Sequence, residues 1–328
     1  MWAFFVGAIY WLRLIIAQAS TGRIFMKWPN LKHLHYLVVL HQEQHFNRAA
    51  KLCYVSQSTL STAIQNLEEQ LGSQLLERDH KSFVFTAFGL EVVERSRLLL
   101  NQADDLLEFA DSNGNWQAGN LKVGIIPTIA PFLFEGFIRA ISEELSELKL
   151  QLQEDTTENL LAQLNRGELD LLILALPMET PGCKQLVIGH DPFHLIVHEE
   201  KAASLPSPMD VDALPKGSIF LLQKEHCLTG HAVSACGLKH QAQVNSLAAT
   251  SLFTLTKLVS SKLGLTFMPE LAINQNILDG QGLVSLPAED NAFREIGLVW
   301  RNGTNRMQLF MYIAKLLSPL MPKPTLDL

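Results

Sequence analysis

Between positions 31 and 71 apolar residues recur three or four apart in three successive runs, the spacing of helices with one buried face. In LKHLHYLVVLHQEQ, Leu31, Leu34, Leu37, Val38 and His41 align. HFNRAAKLCYV follows as a shorter helix with Phe46, Ala49, Ala50 and Leu52 inward, ended by Tyr54 and Val55. SQSTLSTAIQNLEEQLG opens on Ser56, a natural N-cap, buries Leu60, Ile64, Leu67 and Leu71, and stops at Gly72, where a helix-ending glycine belongs. In LLERDHKSFVFT the period changes, and two short strands are predicted around a polar tip. Two short helices, a tight turn, a longer helix with a polar face and a hairpin together predict a winged helix-turn-helix over residues 26–86.

The next stretch, TAFGLEVVERSRLLLNQADDLLEFA, carries Leu90, Val93, Leu98, Leu99, Ala103, Leu106 and Leu107 in near-heptad spacing. Such a stripe suits packing on its own domain or pairing with a second copy; a linker helix has no domain to lie on, which favours the pair. DSNGNWQAGN, polar and rich in Gly and Asn, closes the linker helix and hinge at 87–119. From Leu121 strand and helix alternate: LKVGIIPT, PFLFEGFIRAISEEL, LKLQLQEDT, ENLLAQLNRG, LDLLILAL. This βαβαβ order predicts an open α/β sheet with ligands at the strand ends, in an effector domain over 120–323. Further on, SIFLLQ, LTFMPE and EIGLVW read as strands, SLFTLTKLVSSKLG as a helix, and a last helix falls near 305–321.

Composition narrows the function classes. With 328 residues, 48% hydrophobic and 18% charged, the chain can bury sizeable cores in two or three domains. A formal charge of −7 excludes a generally basic nucleic-acid coat but not one DNA-binding domain. Residues 26–86 hold six Lys/Arg against five Asp/Glu, a weak electrostatic footprint. Ser56, Gln57, Ser58, Thr59 and Ser61 at the exposed start of the third helix suit base edges and phosphates in a major groove. Arg48, Arg78 and Lys81 are placed for the DNA backbone. The opening MWAFFVGAIYWLRLIIAQAS is apolar from Trp2 to Leu12 before Arg13 interrupts, short of the roughly 20 residues of a spanning helix. It lacks the basic start of a signal peptide but ends in AQA, so export and an upstream translated stretch ahead of Met26 both stay open on this segment.

Four cysteines exclude a disulfide framework and fit a reducing compartment with one or two functional thiols. KEHCLTGHAVSACG places Cys227 and Cys236 nine residues apart, which is neither a metal knuckle nor a CxxC pair. If the segment is helical, nine residues rise roughly 13.5 Å, whereas a disulfide needs Cα atoms roughly 4.4–6.8 Å apart. The pair therefore bonds only if the segment refolds. Gly230 weakens a helix there, and Thr229 and Val233 add β-branched stiffness. Cys227 follows a strand at the start of the helix, beside His226, where a thiolate is favoured. Peroxide would convert it to a sulfenic acid, for which Cys236 is the nearest thiol in sequence. The plain alternative, that free cysteines are small buried hydrophobes, suits Cys53 on an inward helix face, and Cys183 follows TPG in a loop.

HFNRAAKLCYVSQSTLSTAIQNLEEQLGSQLLER with FVFTAFG resembles the winged helix-turn-helix of the LysR-type transcriptional regulators. IIPTIAPFL, LLAQLNRGELDLLILAL, EHCLTGHAVSAC, ATSLFTLTKLVSSKLGLTFMP and IGLVWR resemble the OxyR branch of that family, the hydrogen-peroxide-sensing activators. The resemblance covers nearly all of residues 29–320 and makes Met26 the expected start, with residues 1–25 a non-native extension. It implies an effector domain like the periplasmic solute-binding proteins, with lobe I at about 120–189 and 294–323, lobe II at about 190–293, and crossover strands between. It implies that Cys227 is the sensor and Cys236 its redox disulfide partner. Thr128 and Thr157 would hold the peroxide oxygens, His226 adjoins the sensor, and Arg301 would stabilise the thiolate.

The implied partners are double-stranded operator DNA, RNA polymerase and further copies in a homotetramer, in the cytoplasm, with peroxide as signal and no cofactor, metal or membrane. Two departures stand out. Thr229 and Gly230 occupy the place of a common Arg-Asp pair, and Lys81 replaces a frequent wing Arg, keeping charge but losing the bidentate fork. The competing expectations are a LysR-type regulator of a small organic ligand in the lobe cleft, and an enzyme such as a thiol peroxidase or an exported binding protein. The HC-x8-C segment argues against the first and the helix-turn-helix against the second.

Overall fold

The computed structural model describes residues 28–79, 82–111, 114–203, 205, 214–223, 227–235, 241–288 and 292–322. Residues 1–25, Lys81, His226 and Cys236 lie outside the described residues, as does the side chain of Cys227. The chain divides into two units, Met1–Leu100 and Asn101–Leu328.

In the first unit α1 (Leu31–Glu43), α2 (Phe46–Leu52) and α3 (Gln57–Leu71) precede a hairpin of β1 (Leu76–Arg78) and β2 (Phe83–Phe85), paired antiparallel from Leu76 opposite Phe85. Side chains start the helices: Asn30 accepts from the Lys32 amide at 2.9 Å and Ser56 from the Thr59 amide at 3.1 Å. Gly72 ends α3 at φ 69°, a conformation costly for any residue with a Cβ. Leu34, Leu37, Leu40, Leu60, Ile64, Leu67, Leu75 and Phe85 form the core, and each contributes about 1.5–3 kcal/mol by leaving water. Leu52, expected inward, is 57% exposed. It is the last residue of α2, and Ala49 and Ala50 alone carry the buried face. Helix α4 (Ala87–Asp111) begins against β1, where Gly89 is needed because a Cβ would collide with the Leu75 carbonyl. Along α4 Val93 is buried, while Leu90, Leu98, Leu99, Leu106 and Leu107 are exposed.

The second unit is built on β3 (Gly119–Ile125), α5 (Ala130–Glu144), β4 (Leu148–Glu154), α6 (Thr157–Asn165) and β5 (Leu171–Leu176). It continues through β6 (Cys183–His198), α7 (Glu199–Ala202), β7 (Ile219–Leu222), α8 (Cys227–Ala235), β8 (Val244–Ala249) and α9 (Leu252–Ser260). It closes with β9 (Leu265–Pro269), α10 (Glu270–Ile273), β10 (Leu283–Pro287), β11 (Phe293–Arg301) and α11 (Met307–Leu317). The strands of the described residues run in the order β4-β3-β5-β11-β6-β9-β7-β8, with β10 also on β6. β3 is parallel to β4 and β5, and β7 is parallel to β8 and β9. β11 is antiparallel to both β5 and β6.

Two cores result. Leu121, Ile125, Phe137, Ile173, Ile296 and Phe310 belong to one; Phe193, Ile196, Phe220, Leu255, Val259 and Phe267 belong to the other. β6 contributes Ile188 to the first and Phe193 to the second, so this 16-residue strand crosses between lobes. Cys183, expected in a loop, is the first residue of that strand, paired opposite Arg301. A strand with inward and outward residues in alternation absorbs the polar CKQ start that reads as loop.

Candidate functional site

In the first unit the N-terminal turn of α3 is the chemically distinctive surface. Ser56, Gln57, Ser58 and Thr59 are exposed, and Ser61 is half-buried. The Ser56 hydroxyl lies 2.8 Å from both the Ser58 and Thr59 hydroxyls, so capping pre-orders three short polar side chains on one turn. An open groove of about 430 Å³ beside them is lined by Lys32, His33, Tyr36, Ser58, Thr59 and Asn66. The α1 residues in that set carry no sequence signal of their own; only the packing of α1 on α3 brings them to the groove. Arg78 donates to Ser61 and Glu68 at 3.3 Å each, and its guanidinium covers the Phe46 ring. Arg48 pairs with Glu43 at 3.1 Å yet stays 63% exposed.

In the second unit the carboxyl ends of β3, β4 and β5 lead to Thr128, Thr157 and Pro177, the edge at which open α/β sheets bind ligands. Thr157 starts α6 and is half-buried. Thr128 is 3% exposed and accepts a 2.8 Å hydrogen bond on Oγ1 from Arg294 Nη1. Accepting that bond leaves its O–H as a donor.

Arg294 is 1% exposed, and its fork is filled. Nη2 donates to the Thr128 carbonyl at 3.0 Å and to Asp191 Oδ2 at 2.8 Å, and Nε donates to the same oxygen at 3.0 Å. The other Asp191 oxygen accepts from the Leu271 amide at 2.8 Å. Burial pushes the Asp191 carboxyl up, against the pull of Arg294 and of that amide. One ion pair thus ties both crossover strands to Thr128 in lobe I and α10 in lobe II.

Arg301 does not join this cluster. It donates to the Leu164 and Leu169 carbonyls and lies 3.9 Å from Asp170, at the amino end of β5. β11 is antiparallel to β5, so its first residues, not its last, reach the edge that holds Thr128. Arg301 lies seven residues beyond Arg294 along the strand, roughly 23 Å at strand rise. The assignment of Arg301 beside Thr128 is therefore corrected to Arg294.

Helix α8, opened by Cys227, packs on β11 and β7. Leu228 and Ala232 are its buried residues in the lobe II core, and the Thr229 hydroxyl donates to the Leu222 carbonyl at 2.8 Å. Gly230 has nothing within 4 Å of where a Cβ would stand. The two described thiols belong to other elements. Cys53 caps α2 and Cys183 opens β6, both half-buried, and burial pushes both thiols up.

Comparison with known proteins agrees with this architecture. Residues 31–90 match the bacterial regulatory helix-turn-helix of the lysR family, and residues 115–315 match the LysR substrate binding domain. The chain belongs to the LysR family of transcriptional regulators.

As a LysR-type regulator it is a DNA-binding protein and not an enzyme. It is 37% identical to the HTH-type transcriptional regulator EstR of Acinetobacter baylyi, across 88% of this chain and 96% of the relative. It is 35% identical to the DNA-binding transcriptional dual regulator OxyR of Escherichia coli, across 84% of this chain and 90% of the relative. The reduced regulatory domain of OxyR2 from Vibrio vulnificus superposes with a TM-score of 0.61 at 47% identity, covering 62% of this chain and 97% of that one. No helix among the described residues is long and apolar enough to cross a membrane.

The residue that sequence reasoning missed in this LysR-type effector domain is Arg294, and a signal for it existed. In FREIGLVWR it falls in phase with Ile296 and Leu298, the buried face of the strand. A cation at a core position must find a buried partner, and Asp191, in phase with the buried Phe193 and Leu195 on β6, is that partner.

Proposed function

We propose that this LysR-type regulator senses hydrogen peroxide through Cys227, locks the signal in a reversible Cys227–Cys236 disulfide, and activates oxidative-stress defence genes as a cytoplasmic homotetramer on promoter DNA. The observation that carries the reading is the extent of α8. It runs from Cys227 to Ala235, a rise of about 12 Å. The next Cα in the chain is only about 3.8 Å further, so an intact α8 keeps the two cysteines beyond the roughly 4.4–6.8 Å that a disulfide spans. Oxidation must therefore open α8, and α8 packs on the crossover strand that carries Arg294. The signal would reach the lobe junction through that contact.

Thr128, Thr157 and Arg294 would form the peroxide-binding edge, with His226 beside the sensor. Relatives named as hydrogen peroxide-inducible genes activators support the peroxide signal. Peptide mapping after stoichiometric peroxide, with DNA footprinting of both states, tests the proposal: a Cys227–Cys236 linkage and a changed footprint are expected. A footprint that changes while Cys227 remains a free thiol, or Cys227 joined to Cys183, would overturn it.

The similarity to EstR, a regulator not named for peroxide, supports a second reading, a small organic ligand in the cleft between lobes. A footprint that responds to a small organic molecule and ignores peroxide would select it.

Two further outcomes follow. Gly230→Ala is expected to stabilise α8 by about 1 kcal/mol, because the position has ordinary helical backbone and open space. Since only the reduced form keeps the helix, the disulfide becomes easier to reduce and its potential rises by about 20 mV, readable in glutathione redox titrations. On the DNA side, Gln57→Ala is expected to relax preference at one base pair by about 1–3 kcal/mol. Lys81→Ala should weaken all sequences alike and flatten the salt dependence by about one unit. Binding arrays at two salt concentrations separate the two effects.

A further inference from the structure

Helix α6 runs from Thr157, at the ligand edge of lobe I, to Asn165 at its far end, a rise of about 12 Å. Leu160 and Leu164, four apart and so on one face, are fully buried in the lobe I core. At the start of the helix the Asp155 carboxylate accepts from the Asn159 side chain at 2.9 Å and from Gln163 at 3.4 Å. A helix seated this way in a close-packed core shifts as one body rather than deforming. Strand β11 makes the same journey. Arg294 lies at the edge with Thr128, Arg301 ends the strand, and pairing with β5 and β6 holds its register.

Both elements finish at one turn, at 164–169. Arg301 Nη1 donates to the Leu164 carbonyl at 2.7 Å and to the Leu169 carbonyl. Between these two, the Arg166 carbonyl accepts from Asn101 Nδ2 at 2.8 Å. A carbonyl can only accept, so the Asn101 amide meets it with its donor end. The next residue, Gly167, has φ 74°, and a Cβ on it would collide with the Asn101 amide. The turn thus needs glycine twice, for its backbone and for the room that Asn101 takes. The Arg166 guanidinium is turned to Glu168, at 2.9 and 3.0 Å. Asn101 opens the second unit, and α4 continues unbroken from it back to Ala87 in the first. It is half-buried, while Leu98, Leu99, Leu106 and Leu107 on the same helix are exposed.

We propose that Asn101 is the coupling residue of this regulator: α6 and β11 carry a displacement from the peroxide edge to the turn at 164–169, and Asn101 passes it to the linker helix. The inference rests on Thr157 and Arg294 belonging to the peroxide-binding edge. Opening of α8 disturbs β11, on which it packs. Arg301 moves with its strand and draws on the Leu164 and Leu169 carbonyls. The turn meets α4 through a directed hydrogen bond and a close fit, so it cannot shift without moving Asn101 or breaking that contact. Either result acts on α4, whose earlier turns are built into the core of the first unit through Val93.

The test uses the full chain on promoter DNA, reduced and after stoichiometric peroxide, with two readouts kept apart. Peptide mapping follows the Cys227–Cys236 disulfide, and hydroxyl-radical footprinting follows the state of the DNA complex. Coupling is shown only when one end biases the other, so native protein is compared with Asn101→Ala and Asn101→Leu. The first removes the contact. The second keeps the bulk and the helix but has no amide to donate. Both are expected to form the disulfide at the native rate and to bind DNA, with one footprint that is the same before and after oxidation. A variant that forms the disulfide and changes its footprint as native protein does would overturn the inference and leave peroxide sensing standing. A variant that no longer forms the disulfide would overturn it too, because Asn101 would then act on the chemistry and not on its transmission. Asn101→Leu decides the matter if the Ala variant loses DNA binding, and loss of binding in both would make Asn101 a structural residue. Native protein whose footprint ignores peroxide would overturn both readings.

Discussion

Cys227→Ser is expected to keep the DNA footprint of the reduced protein and to lose every change that peroxide brings. The serine side chain fills the same space, so α8 and its packing on β11 and β7 stay as they are. What disappears is the nucleophile: a hydroxyl has no accessible anion at neutral pH and forms no sulfenic acid. Cys236→Ser should behave differently. The sulfenic acid still forms at Cys227, but without a resolving thiol it persists and passes on to sulfinic acid at excess peroxide. Cys53→Ser and Cys183→Ser should respond as native protein does, because burial raises both thiols away from the reactive thiolate. Closing so short a loop constrains the open chain by only about 2–3 kcal/mol. The switch can work only if α8 is held by little more. Among its described residues the anchors are Leu228, Ala232, Val233 and one Thr229 hydrogen bond, and it carries a central glycine. Sulfenic-acid trapping together with footprinting on the four variants checks the set. A Cys227→Ser chain that still shifts its footprint would remove the thiol from the mechanism.

The elements that read well from sequence are those whose burial follows a single period. The α3 stripe of Leu60, Ile64 and Leu67 and the run LLILAL in β5 need no tertiary information. The 16 residues of β6 do not read that way. Their burial changes from partial at Cys183–Val187 to continuous at Leu195–His198, as the strand passes from one lobe to the other. No local window shows that change. The same crossing hides the candidate site. Thr128 and Asp191 are 63 residues apart in sequence and Arg294 is 103 beyond Asp191, and only the antiparallel placement of β11 beside β5 and β6 brings them together. Motif likeness led to the last residue of IGLVWR, whereas the residue that reaches Thr128 lies ahead of that motif.

Arg294→Ala is expected to destabilise the effector domain by about 3–5 kcal/mol, a large share of the roughly 5–15 kcal/mol that holds a domain together. The loss is not that of an attractive pair alone. Removing the guanidinium leaves the Asp191 carboxylate at 0% exposure with only the Leu271 amide on it, and strips the Thr128 carbonyl and hydroxyl of their donor. Arg294→Lys should recover part of the stability, since charge survives but the four directed bonds of the guanidinium cannot. Acid should help the Ala variant. Burial already raises the Asp191 carboxyl above its ordinary 3.8, and without Arg294 it rises further. A group whose folded-state value is raised stabilises the fold when protonated and loses that contribution as pH rises. The gap between native and Ala variant should therefore narrow from pH 7.5 to pH 5.5. The double variant Arg294→Met with Asp191→Leu removes both charges together and should approach or exceed native stability. It should also respond poorly to peroxide, because Thr128 is no longer held at the strand edge. Urea unfolding at the two pH values measures each case. An Ala variant within about 1 kcal/mol of native protein at pH 7.5, a surface-pair effect, would show that water reaches this junction and that the two lobes are not tied through Arg294.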